Sequence, residues 1–345
     1  MRDTHCRKIY TDQRGGELAV KVVAVGGGTG LSTLLKGLKK EVGEAIKELY
    51  AIVTVADSGG STGRLRKIYH IPAPGDIRNC IVALSESEDI MRKLFQYRFK
   101  GEGLGGHAFG NLFLTALSDI TGSFLEAVKL TSDILRTKGD IIPSTVEDIQ
   151  LVARFSDGNT VEGEDEITQY GKQNRVRIED IWIEPKEAKA PIEAIAAIET
   201  AELILFGPGS LFTSIIPNLL IKDIREAIER SKAFRVFIVN AMTQPGETDD
   251  FTAYDHLKTF LKFSRLDRVD AVVVNTKMPP NEILHRYVEE GQEPVVPDVG
   301  KIAKEGISVY AQDLIGDGEN FVRHDPDRLT SLIMKIARDE ALSGI

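Results

Sequence analysis

VVAVGGGTGLSTLLKGLK, residues 22–39, decides the fold. Val22 to Val25 is a short β-branched run that ends in Gly26-Gly27-Gly28-Thr29-Gly30. Leu31, Leu34, Leu35 and Leu38 then fall on one face of a helix. A second apolar run, Ala51 to Ala56, ends at Asp57. Strand, glycine turn, helix, strand is the βαβ unit that opens a parallel sheet. Its right-handed crossover puts both strand ends on one edge.

The rhythm continues outward from this unit. Ile81 to Leu84, Leu94 to Phe99, Asn111 to Ile120 and Phe124 to Leu135 read as helices. Leu151 to Phe155, an Asp157-Gly158-Asn159 turn and Thr160-Val161 read as a β-hairpin, and Arg175 to Ile183 alternates like a half-exposed strand. Strands return at Leu203 to Phe206, Val236 to Val239, Ala271 to Val274 and Ile307 to Tyr310, and Asp325 to Ala341 closes the chain as a helix. The expected fold is a doubly wound, mostly parallel α/β sheet. One domain is expected over 20–345, with a polar tail over 1–19 and a β-rich acidic insertion over 145–190.

Composition sets limits on function. The chain has 345 residues and a formal net charge of −9, so a nucleic-acid groove is not expected, because phosphate neutralisation needs a basic surface. The charge is uneven: residues 140–200 hold 14 acids against 6 bases, whereas 64–100 hold 8 bases against 4 acids. On this reading the acid belongs to a solvated periphery, and a basic stretch lies beside Asp57. Two cysteines, Cys6 and Cys80, fit a reducing cytoplasm. No apolar run reaches the length of a membrane span.

Several motifs stand at strand ends. Gly27, Gly28 and Thr29 open a helix, where unpaired N–H groups and the positive dipole end favour an anion. The spacing matches neither the dinucleotide fingerprint nor a Walker loop. Asp57 ends the second strand, placed to hold a divalent metal or a ribose hydroxyl, and the Gly/Ser loop after it carries Arg64 and Arg66, which suit a diphosphate. Asp76 reads as a helix cap, with Arg78 and Asn79 in the following turn. His107 stands among glycines before a helix, a candidate ligand-facing residue, while no second His or Cys lies at zinc spacing. Gly207, Gly209 and Ser210 repeat the anion logic in the second half, and Asn240 and Asn275 each follow a strand. These residues point to a phosphorylated, nucleotide-like ligand and leave catalysis open.

The motifs in series resemble a known family. VVAVGGGTGLSTLLKGLK, TVADSGGSTGRLR, PAPGDIRNCIVAL, HAFGNLFLTAL, ILFGPGSLFTSIIPNLL, NAMTQPGET and VVVNT are similar to the bacterial YvcK-type gluconeogenesis factors, which share a fold with the phospholactate transferase CofD. The resemblance implies a modified Rossmann-like fold with a ligand cleft at the strand ends, in a cytoplasmic protein that binds UDP-N-acetylglucosamine and supports cell-wall synthesis and cell shape during gluconeogenic growth. It also implies partners among cell-wall enzymes or a Ser/Thr kinase, and Tyr287 and Arg323 as nucleotide-sugar contacts. A homodimer is expected by analogy with α/β proteins of this class. The alternative implied by the transferase branch is a magnesium-dependent transfer of a phospholactate-like group from a nucleoside-diphosphate donor, with Asp57 on the metal and His107 assisting proton transfer. One departure bears on that alternative. The family usually carries two adjacent acids where this chain has Asp57-Ser58, and serine cannot replace a carboxylate as a charged metal ligand.

Overall fold

The computed structural model describes residues 19–316 and 321–341. The expected tail lies outside the described residues except for Ala19. Ten strands are described: β1 Val20–Gly26, β2 Ile46–Val53, β3 Asp140–Pro143, β4 Gln150–Phe155, β5 Thr160–Glu162, β6 Ile178–Glu184, β7 Leu203–Phe206, β8 Phe234–Ile238, β9 Ala271–Asn275 and β10 Ser308–Gln312. Seven form one parallel sheet in the order β10-β9-β8-β7-β1-β2-β3, and β5-β4-β6 form a separate antiparallel sheet. The helices of the first half are α1 Gly28–Glu41, α2 Gly60–Tyr69, α3 Pro74–Leu84, α4 Asp89–Gln96, α5 Phe109–Thr121, α6 Phe124–Leu135 and α7 Glu164–Asn174.

The central strands are buried on both faces, which is why they read as unbroken apolar runs rather than alternations. Val22 to Val25, Leu203 to Phe206 and Ala271 to Val273 are all buried. Leu31, Leu34, Leu35 and Leu38 of α1 are fully buried, and α1 packs on α3 and on the helix Pro326–Ile336. Truncating such a leucine to alanine costs roughly 2–5 kcal/mol.

The topology fixes where a ligand belongs. From β1 the chain winds outward through β2 to β3, then returns to β7 on the other side of β1 and winds the opposite way. The loops after β1 and β7 therefore leave in opposite directions, opening a crevice at the carboxyl ends of the strands, the usual ligand position in such sheets.

Several local expectations change. The Gly/Ser loop after Asp57 is short, because α2 begins at Gly60. Leu94 to Phe99 is helical only to Gln96, and Arg98 then bridges Ala108 in extended backbone. The segment 145–190 carries the expected hairpin and strand, but also α7, which its polar sequence conceals. Among the described residues no helix is long and apolar enough to cross a membrane.

Candidate nucleotide crevice and its carboxylate corner

The two glycine turns meet at the switch point. A side chain at Gly30 would collide with the backbone of Pro208 and Gly209, so only glycine permits this approach. Asn240 holds the second turn in place: its Oδ1 accepts the Gly209 N–H at 3.0 Å and its Nδ2 donates to the Gly209 carbonyl at 2.7 Å. Its amide is thus committed to shaping the loop. The crevice has a volume of about 370 Å³, and its wall includes Thr29, Gly30, Gly209, Ser210, Arg323 and His324. Ser210 caps the following turn by accepting the Thr213 N–H, and its hydroxyl donates to Glu247.

Arg323 reaches the crevice on a hairpin in which Ile315 bridges His324 and Gly316 donates to the Arg323 carbonyl at 3.1 Å. Tyr287 does not line the crevice. Its hydroxyl accepts the Val322 N–H at 3.0 Å, and its ring packs on a small cluster of Ala241, Met242, Ile283, Ile315 and Val322. Tyr287 therefore fastens the backbone next to Arg323. Asn275 is spent on its own loop, donating to the Lys277 carbonyl at 2.7 Å and accepting from the Lys277 and Leu314 N–H groups.

A second group of residues lies beside the first turn. The Asp76 carboxylate takes the Gly28 N–H and stands where a Gly27 side chain would be, at 2.5 Å. The first donor of α1, read from sequence as phosphate-binding, is thus already given to a carboxylate. The second turn is treated alike: the buried Glu247 carboxylate accepts from the Phe212 N–H, Ser210, Thr168 and Thr213. The donors left for a ligand at the first turn are those of Thr29 and Gly30.

The acidic segment does not stay at the periphery. Its helix α7 begins with Glu164, Asp165 and Glu166, acids suited to the positive end of a helix dipole, and this end abuts the Asp57 loop. Ser58 Oγ donates to Glu166 at 2.8 Å and accepts the Asp165 N–H at 3.3 Å. Glu164 hydrogen-bonds the Asp57 carboxyl. At its other end α7 is fastened by a close approach of Gly171 to the Gly246 carbonyl, and by Thr168 donating to Glu247 at 3.0 Å. The acid-rich stretch thus supplies part of the site.

Burial and mutual repulsion set the proton affinities here. Burial first, then the Asp57 charge, raises the Asp76 pKa to about 7, against the Gly28 N–H, Arg78 and Asn79, which lower it. Burial and then the charges of Asp57, Asp76 and Glu247 push Glu164 well above the carboxylate range, so it holds the proton it shares with Asp57. Asp165 rises for the same reasons, burial leading and Asp57 next.

The arginines part company. Arg66 is structural: its guanidinium donates to Asp148 and to the carbonyls of Asp57 and Ile149. The expected diphosphate clamp therefore loses one arm. Arg64 is exposed and donates to the Gly105 carbonyl at 2.8 Å. Arg78 is buried, donates to Asn79 Oδ1 at 2.6 Å and leaves its Nε without a partner among the described residues. Burial, then the nearby Arg98, lowers its pKa to about 10. His107 Nδ1 lies 3.0 Å from Ser61 Oγ, which also accepts from Asn111 at 3.3 Å. Burial, then Arg64, lowers the His107 pKa. The ring is thus held neutral inside a hydroxyl–amide network.

Among the described residues no group of three or more His, Cys, Asp or Glu side chains is arranged to hold a metal ion, and Asp57 and Glu164 are bonded to each other. A wider groove of about 940 Å³ opens at the opposite end of the strands, beside α6 and the helix Ile192–Thr200. Four of its eight charged side chains are spent in pairs, Lys21 with Glu48 at 3.0 Å and Lys129 with Glu193 at 2.8 Å, and it lies away from the switch point, so the crevice is the better candidate.

Comparison with known proteins agrees with this fold. The family model described as 2-phospho-L-lactate transferase CofD matches residues 22–315. A gluconeogenesis-factor relative from Aquifex aeolicus (strain VF5) is 67% identical over 326 residues, covering 94% of this chain and 99% of its own. The gluconeogenesis factor of Bacillus subtilis (strain 168) is 41% identical, covering 92% and 98%. A crystal structure of a protein from Bacillus halodurans, 40% identical, superposes with a TM-score of 0.87 over 92% of this chain and 100% of that one. The chain therefore belongs to the CofD family, among relatives named as gluconeogenesis factors.

Proposed function

We propose that the protein is a cytoplasmic regulator that binds UDP-N-acetylglucosamine in the crevice and passes that state to cell-wall enzymes or their kinase partners, supporting cell-wall synthesis and shape during gluconeogenic growth. The observation that carries this reading is the convergence of two helix-start turns, Thr29-Gly30 and Gly209-Ser210, with Arg323 on one cleft. Backbone N–H groups and a guanidinium suit a diphosphate, and the polar side chains of Thr243 and Gln292 suit uncharged groups of a base or sugar. Membership among the gluconeogenesis factors supports the biological part of the reading. Calorimetric titration tests it: saturable binding of UDP-N-acetylglucosamine is expected, and no heat or thermal stabilisation at millimolar ligand would sink it.

A transferase is the second reading, favoured by the matching family model. It would move a phospholactate-like group from a nucleoside-diphosphate donor to an acceptor hydroxyl, releasing the nucleoside monophosphate, with Asp57 as the residue that would hold a magnesium ion. On this reading Arg64 and Arg78 neutralise phosphates and His107 serves proton transfer. Turnover lost in Asp57→Ala would favour it, and nucleotide binding without turnover across several donors and acceptors would favour the regulator.

A further inference from the structure

Arg323 is followed by a residue that the nucleotide-sugar reading leaves without a role. His324 lines the same crevice and is only 6% exposed, and its Nε2 has no hydrogen-bond partner among the described residues. An unpartnered buried polar atom costs about 1–3 kcal/mol, and an apolar side chain of similar size would avoid that cost. The surroundings are apolar: Val322 and Ile315, its neighbours in the hairpin, belong to the small cluster with Met242 and Ile283. A polar ring held there at a cost, in the wall of a cleft, is a group whose partner arrives with a ligand.

We propose that His324 is a ligand-binding residue that hydrogen-bonds an uncharged carbonyl or hydroxyl of the bound nucleotide sugar, while Arg323 beside it takes the phosphates. This assignment rests on the nucleotide-sugar reading above. Burial pushes the His324 pKa down to about 4, so the ring is neutral at physiological pH and offers a hydrogen bond rather than a charge. A site built to hydrogen-bond a ligand group discriminates against analogues lacking it more sharply than an apolar pocket does.

The test uses the full chain, with His324→Leu and His324→Gln, and two probes, UDP-N-acetylglucosamine and inorganic pyrophosphate. H324L should melt at a higher temperature than the wild type in the absence of ligand, because an orphaned polar group is removed. It should bind UDP-N-acetylglucosamine about tenfold more weakly, the loss of one buried hydrogen bond, and pyrophosphate equally well. H324Q, whose amide reaches the Nε2 position, should recover most of the affinity. The assignment is overturned if H324L melts lower than the wild type, binds the nucleotide sugar unchanged, or loses both probes alike. Wild-type failure to bind UDP-N-acetylglucosamine would sink the nucleotide-sugar reading and this assignment with it, whereas wild-type binding that H324L leaves unchanged would sink the assignment alone.

Discussion

The glycine crevice and the carboxylate corner lie side by side but are built in opposite ways. The crevice is made of contiguous turns at the ends of β1 and β7, with backbone groups facing it and Arg323 as the cation in its wall. The corner is made of side chains from distant segments, with Ser58 joined to Glu166 across 108 residues. Its carboxyls occupy the helix-start donors that a phosphate would want, Asp76 on Gly28 and Glu247 on Phe212. A helix N-terminus is therefore not an anion site by position alone: whether a ligand or the protein's own acid takes the donors is decided by the tertiary fold.

Substitutions can break this contrast in graded ways. The largest effect is expected from Arg323→Gln, which should weaken UDP-N-acetylglucosamine by roughly 10–100-fold in calorimetry, the worth of a charge-assisted bond. Next is Gly30→Ala, which forces a methyl against the Pro208 carbonyl. It should cost about 1–3 kcal/mol in denaturant unfolding and displace the second turn, lowering affinity as well.

The corner should answer to pH rather than to ligand. Asp76 and Glu164 hold protons more tightly folded than unfolded, so folding takes up protons and their stabilisation is lost as pH rises. For Asp76 the window runs from about 4, its unfolded value, to about 7. Thermal melts of the wild type should fall across that window, and Asp76→Asn should flatten the slope; an unchanged slope would remove the corner's electrostatic account. Tyr287→Phe comes after these, losing one hydrogen bond to Val322 at about 1 kcal/mol or less, with a correspondingly small drop in nucleotide affinity. Asn275→Ala should leave affinity nearly unchanged, since its amide is spent on the backbone of Lys277 and Leu314 and does not line the crevice.

The same contrast explains what could be read in advance. The β1–α1–β2 unit, the strand-end turns and the parallel sheet are local signals: an apolar run, glycines, then leucines at helical spacing. Asn240 was legible as a strand-end residue but not as the clamp on Gly209, because that bond depends on how β8 lies beside β7. Glu164 was hidden by composition. In an acidic, polar stretch it reads as solvated surface, and only the docking of α7 through Gly171 and Thr168 carries it to Asp57. Arg66 misled in the other direction, since an arginine in a Gly/Ser loop looks available until Asp148 is brought to it. Tyr287 and Arg323 were named through resemblance alone, and the fold separates their tasks, one fastening the hairpin and the other lining the cleft. His324, next in the chain, carried no sequence signal beyond its type.

On the proposed function the crevice, and not the carboxylate corner, receives the nucleotide sugar. Crystals grown with UDP-N-acetylglucosamine test it most directly. The prediction is diphosphate density over the N–H groups of Thr29 and Gly30, within reach of Arg323, with the sugar nucleotide alongside Gly209 and His324. Density centred instead among Asp57, Arg78 and His107, with the crevice empty, would contradict it.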